Sequence, residues 1–349
     1  MPISWHRSYC ILSLLLSMFG QLISETNYDG KIIFCTGLTG FIGTNLYHRL
    51  APKGIHFISL IPAKEPDHMH IFENATFYDG RIEDMVLLQS ILSTHQPHYI
   101  IHLAAKSAVQ SSFQWPLDAF ETNARGTWNI MESARLIPAR IRGILFSSTD
   151  QVYGEGLINP YLETDCLRPE NIYDISKTNA DMIVRGYAQN YGIPAIVVRF
   201  CNVYGPWERS HTRIVPRTLM QIRNRTPPVV HYYLDKVNCK QYFKRSMIYV
   251  EDIVDGMERA IGALERKLYL GEVFNFGTKQ SHTTKQIVET ITREMSFFDG
   301  YAEKEVGSGE IGNQLLSYEK ANRCLGFKPT HTLDEGIRKT ASWFVEQSR

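Results

Sequence analysis

Two short patterns in this chain hold residue types that can do chemistry together. Tyr173-Asp174-Ile175-Ser176-Lys177 sets a phenol and an ammonium four residues apart at the start of a helical stretch. Residues i and i+4 share one helix face, so both groups can approach one spot. A nearby cation lowers a phenol from its usual value of about 10 and makes the phenolate a usable base. Upstream, Thr36-Gly37-Leu38-Thr39-Gly40-Phe41-Ile42-Gly43 follows an apolar run and opens a helical pattern. Its glycines suit a tight turn, close backbone approach to a pyrophosphate and tight helix-on-sheet packing. The helix start adds unpaired N–H groups and partial positive charge for the phosphates. Sites of this kind place Asp or Glu at the end of the second strand, on the adenosine ribose. Here Ile61 stands there, followed by Pro62, Ala63 and Lys64. The missing carboxylate and the nearby lysine permit NADP, and equally weakened binding.

These residues need a frame, and the pattern supplies one. Apolar runs at Lys31–Thr36, His56–Ile61, Ala75–Tyr78, Tyr99–Leu103, Ile144–Ser148 and Ala195–Phe200 read as strands. Helical spacing fills Phe41–Leu50, Met85–Leu92, Pro116–Leu136 and Ile175–Gln189. Such alternation predicts an α/β fold, a Rossmann-type doubly wound parallel sheet. After residue 200 the rhythm breaks, with Pro206, Pro216, Pro227 and Pro228 close together. The expected division is a dinucleotide-binding domain over 30–200 and a smaller, interleaved substrate lobe mainly over 201–349.

At 349 residues, 44% hydrophobic and 21% charged, the chain is an ordinary globule and not a disordered one. Lys+Arg at 37 against Asp+Glu at 36 gives no basic excess, so nucleic acid is not an expected partner. The six cysteines form no CxxC pair and no Cys/His cluster at metal-ligand spacing, so no metal is expected. They suit a reducing compartment, and the cytoplasm is the expected location. Residues 1–25 point elsewhere: His6 and Arg7 precede an apolar run from Cys10 to Phe19, the outline of a signal peptide. The alternatives are an over-extended start, with Met18 the initiator, or a buried terminal helix. A signal would route the protein to the secretory pathway, and only an uncleaved anchor would attach it to a membrane. Asn74-Ala75-Thr76 and Asn224-Arg225-Thr226 match the glycosylation pattern, which short sequences often meet by chance.

Taken in order, TGLTGFIG (36–43), HLAA (102–105), TNARGT around Asn123, SSTDQVYG (147–154), YDISK (173–177), RFCNVYGP (199–206), RSMIYVEDIVDG (245–256), FNFGT (274–278) and LGFKP (325–329) resemble a known family. It is the extended short-chain dehydrogenase/reductases that modify nucleotide sugars, and the resemblance covers nearly all of 30–345. Ser148–Gly154 looks most like the signature of dTDP-glucose 4,6-dehydratases. The resemblance implies that Tyr173, assisted by Thr149, takes the proton of the sugar 4-hydroxyl while hydride leaves C4 for NAD. It implies that Lys177 holds the cofactor ribose and that Leu103, Ala104 and Ala105 line the cofactor. Asp150 then fits the acid that protonates the leaving 6-hydroxyl. Gln151 occupies the place of the glutamate that takes the C5 proton, and an amide cannot act as that base near neutral pH. A 4-epimerase needs no such base, so Gln151 keeps that alternative open, as it does a catalytically silent dinucleotide-binding homologue. Arg81, where the family usually has the Asp that holds the adenine amine, is a second departure.

Asn123, Asn202 and Arg245 match family positions on the substrate side, and a guanidinium suits a diphosphate through forked hydrogen bonds. Asn123 also suits local backbone capping. His102 reads as a structural histidine. Arg209 and Arg213 could reach phosphate from a loop without firm register, and Tyr232, Tyr233 and Tyr242 suit either base stacking or packing. By analogy with the family, a homodimer built on the helices at 116–136 and 175–189 is expected.

Overall fold

The computed structural model describes residues 26–62, 67–137, 141–155, 159–297, 299–306 and 311–347. The leader, with Met18, and Lys64 lie outside them. The strands are β1 (Ile32–Thr36), β2 (His56–Ile61), β3 (Ala75–Asp79), β4 (Tyr99–His102), β5 (Gly143–Thr149), β6 (Ala195–Phe200), β7 (Asn202–Tyr204), β8 (Val229–Leu234), β9 (Lys240–Tyr242), β10 (Lys244–Tyr249), β11 (Val273–Phe276), β12 (Ser281–Thr283), β13 (Ala302–Glu305) and β14 (Asn313–Gln314). Seven of them make one parallel sheet in the order β11-β6-β5-β4-β1-β2-β3. Strand order reverses beside β1, and in such sheets the ligand crevice lies outside the carboxyl ends at that point.

Helices α1 (Phe41–Leu50), α2 (Met85–His95), α3 (Val109–Gln114), α4 (Pro116–Phe120), α5 (Gly126–Leu136), α6 (Ile172–Tyr191), α7 (Ile214–Arg223), α8 (Val250–Glu265), α9 (Thr284–Glu294), α10 (Glu319–Leu325) and α11 (Leu333–Glu346) complete the chain. Alternate strand residues feed two cores. Ile33, Cys35 and Leu145 pack with Leu46 of α1 and Ile253 of α8. Phe34, Ile144 and Phe146 pack with Leu88 of α2, Ile130 of α5 and Val184 of α6. Covering both faces is why these strands read as continuous apolar runs. Beyond β6 lie two small sheets, β12-β10-β14 with β7 on β10, and β13-β8-β9. β11 returns from that region to the large sheet.

Several expected boundaries shift by one to three residues. The 116–136 stretch is helical throughout but contains a π turn at Glu121–Arg125. The helix expected from Ile175 begins at Ile172, because the Asn171 side chain accepts from the Asp174 N–H at 3.0 Å. It ends at left-handed Gly192, beyond the expected Gln189. β4 stops at His102 and leaves Leu103 outside the ladder. Among the described residues no helix is long and apolar enough to cross a membrane.

Candidate active site

The turn after β1 shows why glycine recurs there. Gly37 has φ +74°, and a Cβ on it would stand 2.9 Å from the Ala104 nitrogen. A Cβ on Gly43 would lie 2.3 Å from the Gly37 carbonyl oxygen. Gly40 precedes α1, whose start has neither a side-chain cap nor an acidic residue in its first turn, with Phe41 and Ile42 as the first helical residues. Its first N–H groups are therefore available to an anion. Thr36 ties this turn to the segment Leu103-Ala104-Ala105, since its Oγ1 accepts from the Ala104 N–H at 3.2 Å.

From Thr36 a buried chain of hydrogen bonds crosses to the start of α6. Thr36 Oγ1 meets His102 Nδ1 at 2.7 Å, and His102 Nε2 meets Thr127 Oγ1 at 3.0 Å. Thr127 donates to the Asn123 carbonyl at 2.6 Å. The Asn123 side chain donates to Ser176 Oγ at 2.8 Å, and Ser176 donates to the Tyr173 carbonyl at 2.8 Å. Asn123 sits in the π turn, a feature frequent at functional sites. Its amide also bonds the Lys106 N–H at 2.7 Å and the Lys106 carbonyl at 3.2 Å. His102 is structural, as its sequence context suggested, and burial with the Lys177 charge pushes it down to about 3.

Tyr173, Lys177, Thr149 and Asp150 come together at the carboxyl end of β5, all buried. The Thr149 hydroxyl donates to Asp150 Oδ1 at 3.2 Å and also reaches the Tyr173 phenol. Lys177 donates to the Ser147 carbonyl at 2.7 Å, which fixes its ammonium under the sheet end. Burial pushes Asp150 up to about 6, against the Thr149 hydrogen bond and the Arg245 charge. It pulls Lys177 down to about 8, with Asp181 acting the other way. Gln151, half-buried, follows on a turn of 3-10 helix and donates its N–H to Thr149 Oγ1 at 3.3 Å.

One expectation is overturned here. The helical spacing argued for a phenol pulled down by Lys177, whereas burial pushes Tyr173 up to about 12. The charge that most favours its phenolate is that of Arg213, assisted by the Thr149 hydrogen bond. Spacing places two groups on one face but says nothing of desolvation, which is the larger effect.

On the far side, Arg245 of β10 donates to the Ile311 carbonyl at 2.6 Å while its charge reaches Asp150. Asn202 of β7 pairs with Met247, two residues along β10 from Arg245. Arg81 pairs with Glu83 at 2.8 Å and Asp118 at 3.4 Å. Ile61 is buried at the end of β2 and pairs across the ladder with Asp79. Of the three tyrosines, Tyr233 packs on Phe243, while Tyr232 and Tyr242 flank Lys240. Sequence reasoning missed Asp174, which burial, with Asp150 adding to it, pushes up to about 7. It also missed the buried Glu208. A carboxylate inside the Tyr/Lys motif was a signal for the first; nothing in the irregular loop marked the second.

Comparison with known proteins agrees with this fold. A dTDP-glucose 4,6-dehydratase of Escherichia coli is 30% identical, over 90% of this chain and 93% of its own. The crystal structure of a UDP-glucose 4-epimerase from Thermotoga maritima, with UDP-glucose, is 28% identical, with a TM-score of 0.83, over 91% of this chain and 100% of its own. A Thermus thermophilus UDP-glucose 4-epimerase complex with NAD is 25% identical, with a TM-score of 0.79, over 90% of this chain and 99% of its own. A family model described as GDP-mannose 4,6 dehydratase matches residues 34–340. With the glycine turn, the Thr/Asp/Tyr/Lys group and this match over most of its length, the chain belongs to the GDP-mannose 4,6 dehydratase family, within the extended short-chain dehydrogenase/reductases.

Proposed function

We propose that this protein is a nucleotide-sugar 4,6-dehydratase that works through transient oxidation of the sugar at C4. The observation that carries this reading is Asp150: a buried carboxyl raised to about 6, bonded to Thr149, in the same group as Tyr173 and Lys177. Near neutral pH such a group keeps a useful fraction of its acid form. The dinucleotide cradle fits its ligand, because the space at Gly37 and Gly43 admits no Cβ and the α1 start is uncapped. NAD bound there would supply the hydride acceptor for C4 and, once reduced, the hydride donor for C6. The complex of the Thermus thermophilus relative supports NAD over NADP.

Tyr173 takes the 4-hydroxyl proton, with Thr149 bonded to its phenol oxygen. Lys177 holds the cofactor ribose, and Thr36, Gly37, Gly40, Phe41, Ile42, Gly43 and Leu103–Ala105 hold the rest of the dinucleotide. Asp150 gives its proton to the departing 6-hydroxyl as the C5 proton is released to solvent, since the Gln151 amide cannot take it. Asn202 and Arg245 face the substrate diphosphate, while Asn123 holds the Lys106 segment against α6. We assign 30–200 to the dinucleotide and 201–349 mainly to the sugar nucleotide. Exposed Phe113, Trp115, Leu117, Trp128 and Met182 on α3–α6 support a homodimer. The five described cysteines are all free, which supports the cytoplasm.

The test is direct. Dinucleotide released from the purified protein is identified by mass, and the protein is assayed with dTDP-glucose and UDP-glucose. Bound NAD and a 4-keto-6-deoxy product, which absorbs in alkali, are expected; bound NAD with a product changed only at the C4 hydroxyl establishes the 4-epimerase instead. Gln151 is the observation that favours that second reading. The Gln151→Glu variant is accordingly expected to raise dehydration by about tenfold or more, within the range general bases supply. No gain would show that another group already takes the C5 proton. Gly43→Ala is expected to abolish dinucleotide retention, because its Cβ would meet two carbonyl oxygens at 2.3 and 2.5 Å. Equilibrium dialysis checks this, and an affinity near that of the native protein would mean that the turn is not the cradle.

A further inference from the structure

The segment Gly205–Arg213 joins β7 to α7 and contains a costly backbone position. Trp207 has φ +71°, a conformation bulky side chains rarely adopt. Its ring is held by His48 at 5.5 Å, His68 at 5.6 Å and Trp343 at 5.5 Å, with Arg209 over it at 5.7 Å. Two hydrogen bonds fasten the assembly. Asn45 of α1 donates to the Pro206 carbonyl at 2.9 Å, and His68 Nε2 bonds the Thr39 carbonyl of the phosphate turn at 3.1 Å.

The next residue is the unexpected one. Glu208 is 6% exposed, its Oε1 has no hydrogen bond, and that oxygen lies 3.4 Å from Arg213 Nε. A carboxylate is rarely buried without a purpose for its charge, since desolvation is costly unless a partner offsets it. Here the partner is Arg213, whose charge is the largest acting on the Tyr173 phenol. We propose that Glu208 is a positioning residue that holds Arg213, whose charge reaches the Tyr173 phenol, on a loop that Trp207 pins to the phosphate turn. The proposal rests on the reading of Tyr173 as the base of the oxidation step.

The arrangement carries a pH dependence of defined sign. Burial pushes Glu208 up to about 7, with Arg213 pulling it down. Above that value the carboxylate is charged and Arg213 is seated; below it the ion pair is lost, and with it the help that Arg213 gives the phenolate. Arg213 is the charged group that faces Glu208. Asp150 and Asp174 face the phenol and oppose its ionisation. His48 and His68 beside Trp207 are held below the ordinary imidazole range by burial.

The experiment compares the full-length native protein with Glu208→Gln, which keeps shape and removes charge. Under the proposal kcat falls about tenfold at pH 8, the scale of one lost electrostatic contact at a reacting group, while dinucleotide affinity stays within about twofold. The acid limb near pH 7 in the native kcat/KM profile disappears in the variant. Native-like kcat with the acid limb intact overturns the proposal. Arg213→Ala, at a side chain open to solvent, serves if Glu208→Gln does not fold; it is expected to move the rise in rate to higher pH, and an unmoved profile also overturns it. Hydrogen exchange of residues 205–213, corrected for intrinsic rates, needs no turnover. Protection that grows from pH 6 to pH 8 in the native protein and is flat in Glu208→Gln supports the holding role, and equal behaviour overturns it. A native protein inactive on every nucleotide sugar sinks the functional reading, and the exchange data still decide the role of Glu208.

Discussion

Replacing Tyr173 with Phe is expected to lower turnover by about 10²–10⁴-fold, the usual contribution of a positioned acid–base group. That corresponds to about 3–5 kcal/mol of lost transition-state stabilisation. The ring stays, so its packing at the start of α6 is kept and only the phenol oxygen, with its Thr149 contact, is removed. Thermal stability and dinucleotide binding should therefore stay close to those of the native protein. Because the phenol sits at about 12, its ionised fraction near neutral pH is small, and native turnover should rise with pH as phenolate forms. Steady-state kinetics beside a melting curve decide the matter. Unchanged turnover in Tyr173→Phe would remove the phenol from the mechanism.

Asp181→Ala carries the largest expected loss of stability. Arg199 is 1% exposed and is gripped by Asp181 through two hydrogen bonds of 2.9 Å. It also donates to the Tyr153 hydroxyl at 2.8 Å, which donates to Asn275 at 2.7 Å. Removing the carboxylate leaves a guanidinium buried without its counter-charge, a change that costs about 3–5 kcal/mol. Denaturant titration measures it, and a loss under about 1 kcal/mol would mean that water reaches Arg199 and repairs the defect. The Asp181→Leu/Arg199→Met pair should recover much of the loss, because it removes both charges together. The single variant should also depress Lys177 further, since Asp181 is the charge that holds that ammonium up. The stabilising pair and the tuning of Lys177 thus share one carboxylate.

How far the sequence could be read depended on whether the determining force was local. β2, β6 and α1 occupy His56–Ile61, Ala195–Phe200 and Phe41–Leu50, as the apolar runs and the glycine turn predict. A strand buried on both faces and a helix opened by glycine announce themselves in composition. The start of α6 did not, because a single asparagine cap adds three residues that periodicity alone leaves out. Nothing in the strand Ala195–Phe200 marks Arg199 as paired, because its partner Asp181 lies on another element, four residues after Lys177 on the same face of α6. The Tyr173–Lys177 spacing was legible as geometry, but the upward shift of the phenol was not, because desolvation is set by everything packed around it. Glu208, and the reach of Arg213 towards the phenol, were out of view for the same reason: their loop is placed by Trp207 against distant histidines.

The hydrogen-bond chain from Thr36 to Tyr173 has a direction, and that direction names the tautomer of His102. Thr127 gives its one hydroxyl proton to the Asn123 carbonyl, so towards His102 it can only accept. Nε2 must then carry the imidazole proton, leaving Nδ1 bare to receive the Thr36 hydroxyl, which in turn is free to accept from Ala104. Every donor from Ala104 to Thr127 points the same way, and the dipoles reinforce one another. A second proton on His102 would set donor against donor at Thr36 and force that hydroxyl to turn away from the ring. The backbone beside the phosphate turn would lose its order along with it. Acid should thus cost the whole fold stability between about 6.5 and about 3, where the unfolded histidine holds a proton that the folded ring refuses.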